Sequence, residues 1–243
     1  MEENFTTPKS PAGIMSSQQK AAKVAGIALL LSIALIVYAN FGLQSRLVIE
    51  GDIAKTASNI LANENLFRLV IVCHLIYCAG IVILLTAFYI VLKPVSPALA
   101  LFAALSRFIF ALVWIIIVLN FLTALHLLGE DYLKVLEADR RQALAKLYLT
   151  GWDAYYVGLL FWSLASTVCG WLWLKSKYIP RIFALFGLVA SAWCVACTLA
   201  YLIFPSFSET VNLWWFDSPM TIFEIALSFW LLFRGIRVTA RDK

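Results

Sequence analysis

The chain has 243 residues, of which 63% are hydrophobic and 14% charged, with a mean hydropathy of +0.88. Soluble domains run at about 45–50% apolar and about 25% charged, so this composition excludes an ordinary water-soluble fold and points to a membrane protein. The net charge of +5 is scattered over short connections and forms no basic stripe, which argues against nucleic acid as a partner.

Residues 1–20 are polar, contain Pro8 and Pro11, and are predicted to form a flexible tail. An apolar run over about 22–43 is long enough to cross a hydrocarbon core, which takes about 20 residues. A cleavable signal peptide, cut after Val37-Tyr38-Ala39, is the less expected reading, because the run exceeds the usual signal core and follows a polar stretch of about 20 residues. Residues 44–66 form a polar connection broken at Gly51 and Asp52. Beyond the break, Ile53, Ala57, Ile60, Leu61 and Ala62 recur at helical spacing and predict a short amphipathic helix. The second span covers about 67–92, ended by Lys93 and Pro94; Pro97 opens the third, about 97–128. Residues 129–148 mix charges with an imperfect helical pattern and predict a second surface helix. The fourth span covers about 152–174, and a turn with Pro180 leads to the fifth, about 181–204, stopped by Pro205. Residues 206–218 read as a loop whose Trp214 and Trp215 suit the membrane interface. Pro219 suits the first turn of a sixth span, about 219–237. The expected fold is all-α: a polytopic six-transmembrane helical bundle with short amphipathic helices in the outer loops.

Basic residues set the expected orientation. Lys9, Lys20, Lys23, Lys93, Lys175, Lys177, Arg181, Arg234, Arg237, Arg241 and Lys243 fall in the termini and alternate connections. The remaining connections either lack basic residues or mix them with acids, so the positive-inside rule places both termini in the cytoplasm.

Ionisable groups at membrane depth are expensive unless paired or hydrated, which makes each a functional candidate. Glu224 lies five residues past Pro219, roughly 7 Å into the predicted helix, with Thr221 and Ser228 on its face. His74 shares a face with Tyr77 and Cys78. Asn120 and His126 come late in the third span, and Asp153 opens the fourth. If these faces converge, they line an outward-opening polar pocket covered by the 44–66 segment with Asp52. The plainer alternative is that Glu224 bonds a neighbouring helix while His126 and Asp153 sit in headgroup water. Arg107 lies about ten residues into the third span from the other side, with no carboxylate predicted at its depth. Snorkelling toward Lys93 and the headgroups, or contact with anionic lipid, is expected in preference to the alternative of pairing inside the bundle.

Two histidines and a carboxylate would suffice for a catalytic zinc, but no His-x-x-x-His spacing exists and the ligands would come from three helices, so no metal is expected. No cofactor is expected either: two isolated histidines do not suggest paired haem ligation. The five cysteines all fall within spans and read as packing residues, including Cys194 and Cys197 in mid-helix. Ala22 with Gly26, and Gly187 with Ser191, are spaced to let helices approach closely. No phosphate-binding loop or Gly-x-Ser-x-Gly motif supports a nucleophilic enzyme.

Four patches carry a resemblance: GDIAKTASNILANENLFR (51–68), Arg107, SKYIPRIFALFG (176–187) and FEIALSFWLLFRGI (223–236). Together and in this order they resemble DUF4386, a family of bacterial integral membrane proteins of unknown function. The resemblance implies six spans and transfers no catalytic role. Asp52 and Glu224 stand where that family carries acids. The chain departs from it at His74, where Asp is usual, and at Ala165 and Ser166, where His is common.

These readings lead to three expectations. The first is binding, sensing or transport of a small amphipathic or ionic solute through the outward-facing pocket, with Glu224 central and His74 and Asn120 as hydrogen-bonding partners. The second is a membrane-embedded lipid hydrolase in which His74, His126 and Asp153 or Glu224 hold a metal. The third is a structural or accessory subunit. The bilayer is the one expected partner besides a small-molecule or lipid ligand.

Overall fold

The computed structural model describes residues 11–129, 137–149, 152–204 and 206–237. These residues are almost wholly helical and contain no strand. Six helices are long and apolar enough to cross a membrane. The first combines α1 (Pro11–Val37) with a π-helical stretch, Tyr38–Leu43, and a 3-10 turn, Gln44–Arg46. The others are α3 (Glu64–Leu92), α4 (Pro97–Gly129), α6 (Trp152–Ser176), α7 (Arg181–Ile203) and α9 (Leu213–Phe233). The shorter α2 (Ile53–Ala62), α5 (Ala138–Leu149) and α8 (Phe207–Thr210) lie in the long connections.

The spans close into a ring in chain order. α1 packs on α3, α3 on α4, α4 on α6, α6 on α7, α7 on α9, and α9 returns to α1. α4 and α9 therefore stand across the ring from each other, with two helices between them either way round. Outward positions are apolar (Leu31, Ile76, Ile83, Leu119, Val189 and Ile222 are all exposed), as expected of surface bathed by acyl chains.

Lipid tails are as apolar as leucine, so burial alone gives these helices little reason to associate; close backbone approach and hydrogen bonds do the holding. The ring closes at the small residues read from the sequence. Ala22 and Ala25 are fully buried, and a Cβ on Gly26 would stand 2.8 Å from the Ser228 carbonyl oxygen. At Gly187, the Phe223 ring fills the space where a side chain would begin.

Both predicted connection helices are present. Asp52 caps α2 by accepting from the Lys55 backbone N–H at 2.9 Å, after a turn through Gly51 at φ +81°. α2 rests on α3, α4 and α5, and α5 packs on α4. The part of the second surface helix expected over 130–136 lies outside the described residues.

Two boundaries differ from expectation. The flexible tail predicted for 1–20 gives way to helix at Pro11, and residues 1–10 lie outside the described residues. The cause is a pair of glutamines. Gln18 is buried and donates to the Val91 carbonyl at 3.2 Å, while the Gln19 amide bonds both backbone groups of Ile236. The second difference concerns the sixth span, which begins at Leu213 rather than Pro219. Asn212 caps it by accepting from the Trp214 N–H at 3.0 Å. Pro219 is then interior and cannot donate to the Trp215 carbonyl one turn back. That carbonyl instead accepts from the Trp193 indole N–H of α7 at 3.2 Å. A neighbouring helix thus satisfies the group the proline leaves bare, as lipid requires.

Candidate functional site

Arg107 sits on α4, ten residues from Pro97, and Glu224 sits on α9, eleven residues from Leu213. At 1.5 Å per residue these are roughly 15 and 16 Å in from opposite ends, which matches half the thickness of a bilayer of about 30 Å. They meet there. Arg107 Nη2 donates to Glu224 Oε1 at 3.2 Å and to Ser166 Oγ of α6 at 3.0 Å. The Ser166 hydroxyl donates in turn to the same Glu224 oxygen at 2.9 Å. The ion pair is buried, 2% and 5% exposed at its two side chains, and it bridges helices that are not neighbours in the ring.

Aromatic rings wall the guanidinium. Its carbon lies 4.0 Å from the centroid of Trp162 and 5.3 Å from that of Phe88, contributing cation–π attraction that is strongest when desolvated. Phe110 packs against Trp162 at 4.6 Å between centroids, and Tyr77 and Trp114 extend the wall along α3 and α4. The Nε and Nη1 nitrogens of Arg107 are buried and have no hydrogen-bond partner among the described residues. A guanidinium carries five N–H donors, so part of its capacity is unused at the centre of the ring.

The expectation that Arg107 snorkels to the headgroups or meets anionic lipid is therefore corrected: it turns inward and pairs with Glu224 and Ser166. The physical reason is the true start of α9. Six extra residues, roughly 9 Å of helix, lower Glu224 from near the interface to the depth of Arg107.

The same extension carries Asp217 into the helix, where the sequence had suggested a loop. Tyr155 Oη donates to Asp217 Oδ2 at 3.0 Å, and Thr221 Oγ1 donates to Oδ1 at 3.4 Å. Asp217, Thr221, Glu224 and Ser228 are spaced 4, 3 and 4 apart, so they fall on one face of α9 and form a polar stripe.

The other candidates take different places. His74 is buried: its Nδ1–H donates to the Val70 carbonyl at 2.7 Å, and its ring packs against Trp114 and edge-on to Phe121. Asn120 is half-buried on α4. His126 near the end of α4 and Asp153 in the first turn of α6 are exposed, and Asp52 is an exposed cap. Of the six, only Glu224 enters the Arg107 cluster. Among the described residues no three His, Cys, Asp or Glu side chains gather as a metal ion would need.

The model of the family DUF4386, a domain of unknown function, matches residues 24–235. The chain belongs to the DUF4386 family. The match takes in Arg107, Ser166 and Glu224 and nearly all of the ring. No curated protein and no solved structure matches the chain. The DUF4386 name carries no activity, so what the site does has to be argued from its own chemistry.

Proposed function

We propose that this DUF4386 protein binds a small amphipathic anion at the Nε and Nη1 nitrogens of Arg107, to sense it or to move it across the bilayer. One observation carries this reading: two guanidinium nitrogens without partners among the described residues, in a buried, aromatic-walled centre. Leaving donors of a buried charge unused is costly, and a carboxylate-bearing solute would use them. Its apolar body would lie against Trp162 and Phe88. Glu224 holds the guanidinium in the unliganded state and competes with the solute for it. The polar stripe through Thr221 and Asp217 supplies hydrogen bonds toward the end with the long connections. The distribution of basic residues supports an orientation with both termini in the cytoplasm.

The test uses detergent-purified protein, with benzoate and hexanoate as probes and their amides as neutral isosteres. The acids raise the melting temperature and the amides do not; a ligand at 100 times its Kd adds about 2.7 kcal/mol. An R107M/E224L double variant, which removes both charges at similar volume, loses the response. Equal shifts from acids and amides, or an unchanged response in the double variant, refute the proposal.

A further inference from the structure

At the end where α9 finishes, two features of the surface join. Trp230, Arg234 and Arg237 line a hollow of about 320 Å³. Beside it runs an open groove of about 470 Å³ lined by Pro180, Phe183, Ala226, Phe229 and Phe233, which shares Trp230 and Arg234 with the hollow. Ala226 to Phe233 covers two turns of α9, roughly 10 Å, directed from the helix end toward the middle of the bilayer. The Phe229 and Phe233 rings lie parallel, 1° apart in tilt, and give the groove a flat aromatic side.

The basic hollow is built and held. Gly235 turns the chain at φ +65°, and its N–H donates to the Trp230 carbonyl at 3.1 Å. The Arg237 N–H then donates to the Tyr178 carbonyl at 2.9 Å, while Gln19 grips Ile236. These bonds bring the Arg237 guanidinium back over the Trp230 ring, 5.5 Å from its centroid. Neither Arg234 nor Arg237 forms an ion pair with a carboxylate among the described residues. The neighbouring connections 93–97 and 175–181 contain no acid.

We propose that this hollow and groove form a binding site for an anionic phospholipid, with its phosphate on Arg234 and Arg237 beside Trp230 and an acyl chain in the groove. Two positive charges where a helix leaves the bilayer lie at headgroup depth, where a lipid phosphate lies, and Arg is suited to grip phosphate through two donors at once. The adjoining apolar groove has no use for a free ion. A second copy inserted in the same direction would set an equally basic end against this one at the same depth.

Native mass spectrometry of the full chain tests the proposal, with phosphatidylglycerol and phosphatidylcholine added separately. Phosphatidylglycerol is retained preferentially. R234Q weakens its retention about fivefold and R234Q/R237Q about twenty-five-fold, from the worth of each basic residue at an anionic surface. Equal retention of the two lipids, or a double variant that retains phosphatidylglycerol like the wild type, overturns the proposal. A wild-type experiment covers the case in which the variants do not fold. Excess inorganic phosphate, compared with chloride at matched ionic strength, leaves phosphatidylglycerol bound if the acyl groove contributes. Displacement by phosphate alone means that only a free anion is recognised and overturns the lipid assignment.

Discussion

Replacing Glu224 by leucine strands the Arg107 guanidinium in the middle of the bilayer. A unit charge pair at 3.2 Å in an effective dielectric of about 20 attracts by about 5 kcal/mol before desolvation is counted. Removing one member of a buried pair costs about 3–5 kcal/mol, and an unpaired arginine at the centre of a spanning helix costs about 2.5–3.5 kcal/mol on insertion scales. E224L is therefore expected to lose about 3 kcal/mol of stability. R107M should lose less, about 1–3 kcal/mol, because a stranded carboxylate can neutralise itself by taking a proton and a guanidinium cannot. R107M/E224L removes the problem altogether and should return to within about 1 kcal/mol of wild type, since an apolar pair in place of a buried ion pair is often neutral or stabilising. The assay is reversible unfolding by SDS in mixed micelles, followed by far-UV circular dichroism across this double-mutant cycle. The reasoning fails if E224L is as stable as wild type, or if the losses of the two single variants simply add in the double variant.

Other consequences can be measured in the same assay. G26V places a side chain against the Ser228 carbonyl, and forcing α1 from α9 should cost about 1–3 kcal/mol; an unchanged unfolding midpoint would mean that the ring does not close there. Y155F removes the hydroxyl that serves Asp217 and should cost about 1–3 kcal/mol, whereas the same change at the exposed Tyr38 should cost nearly nothing.

The six spans were legible because lipid demands a length and a hydropathy that few other structures imitate, and because Pro97 and Pro180 mark helix starts in the usual way. Helix α2 could be read for a different reason: its apolar positions repeat at helical spacing beside a glycine and a capping aspartate. Pro219 misled because a proline in the first turn and a proline inside a helix look alike in one dimension. The distinguishing residue, Trp193, is distant in sequence and supplies the missing hydrogen bond only after folding. Asn212 followed by Leu213, Trp214 and Trp215 was the local sign of the true start. From that one boundary came the misplacement of Glu224, the omission of Asp217 and Tyr155, and the picture of Arg107 reaching for the headgroups. The small-residue contacts at Gly26 and Gly187 were readable because they express a short local spacing. The pairing of Arg107 with Glu224 was not, because it depends on which helices face each other around the ring.

The distance between Arg107 and Glu224 along the chain, 117 residues, also measures time. At about 5–20 residues per second, a ribosome needs roughly 6–23 s after making the arginine to deliver its counter-charge. Throughout that interval the growing polypeptide holds a cation in fat without its carboxylate. Synthesis stopped before the last helix leaves that debt permanent, so such a truncated product should be recognised as unfinished by membrane proteases while the completed chain escapes them.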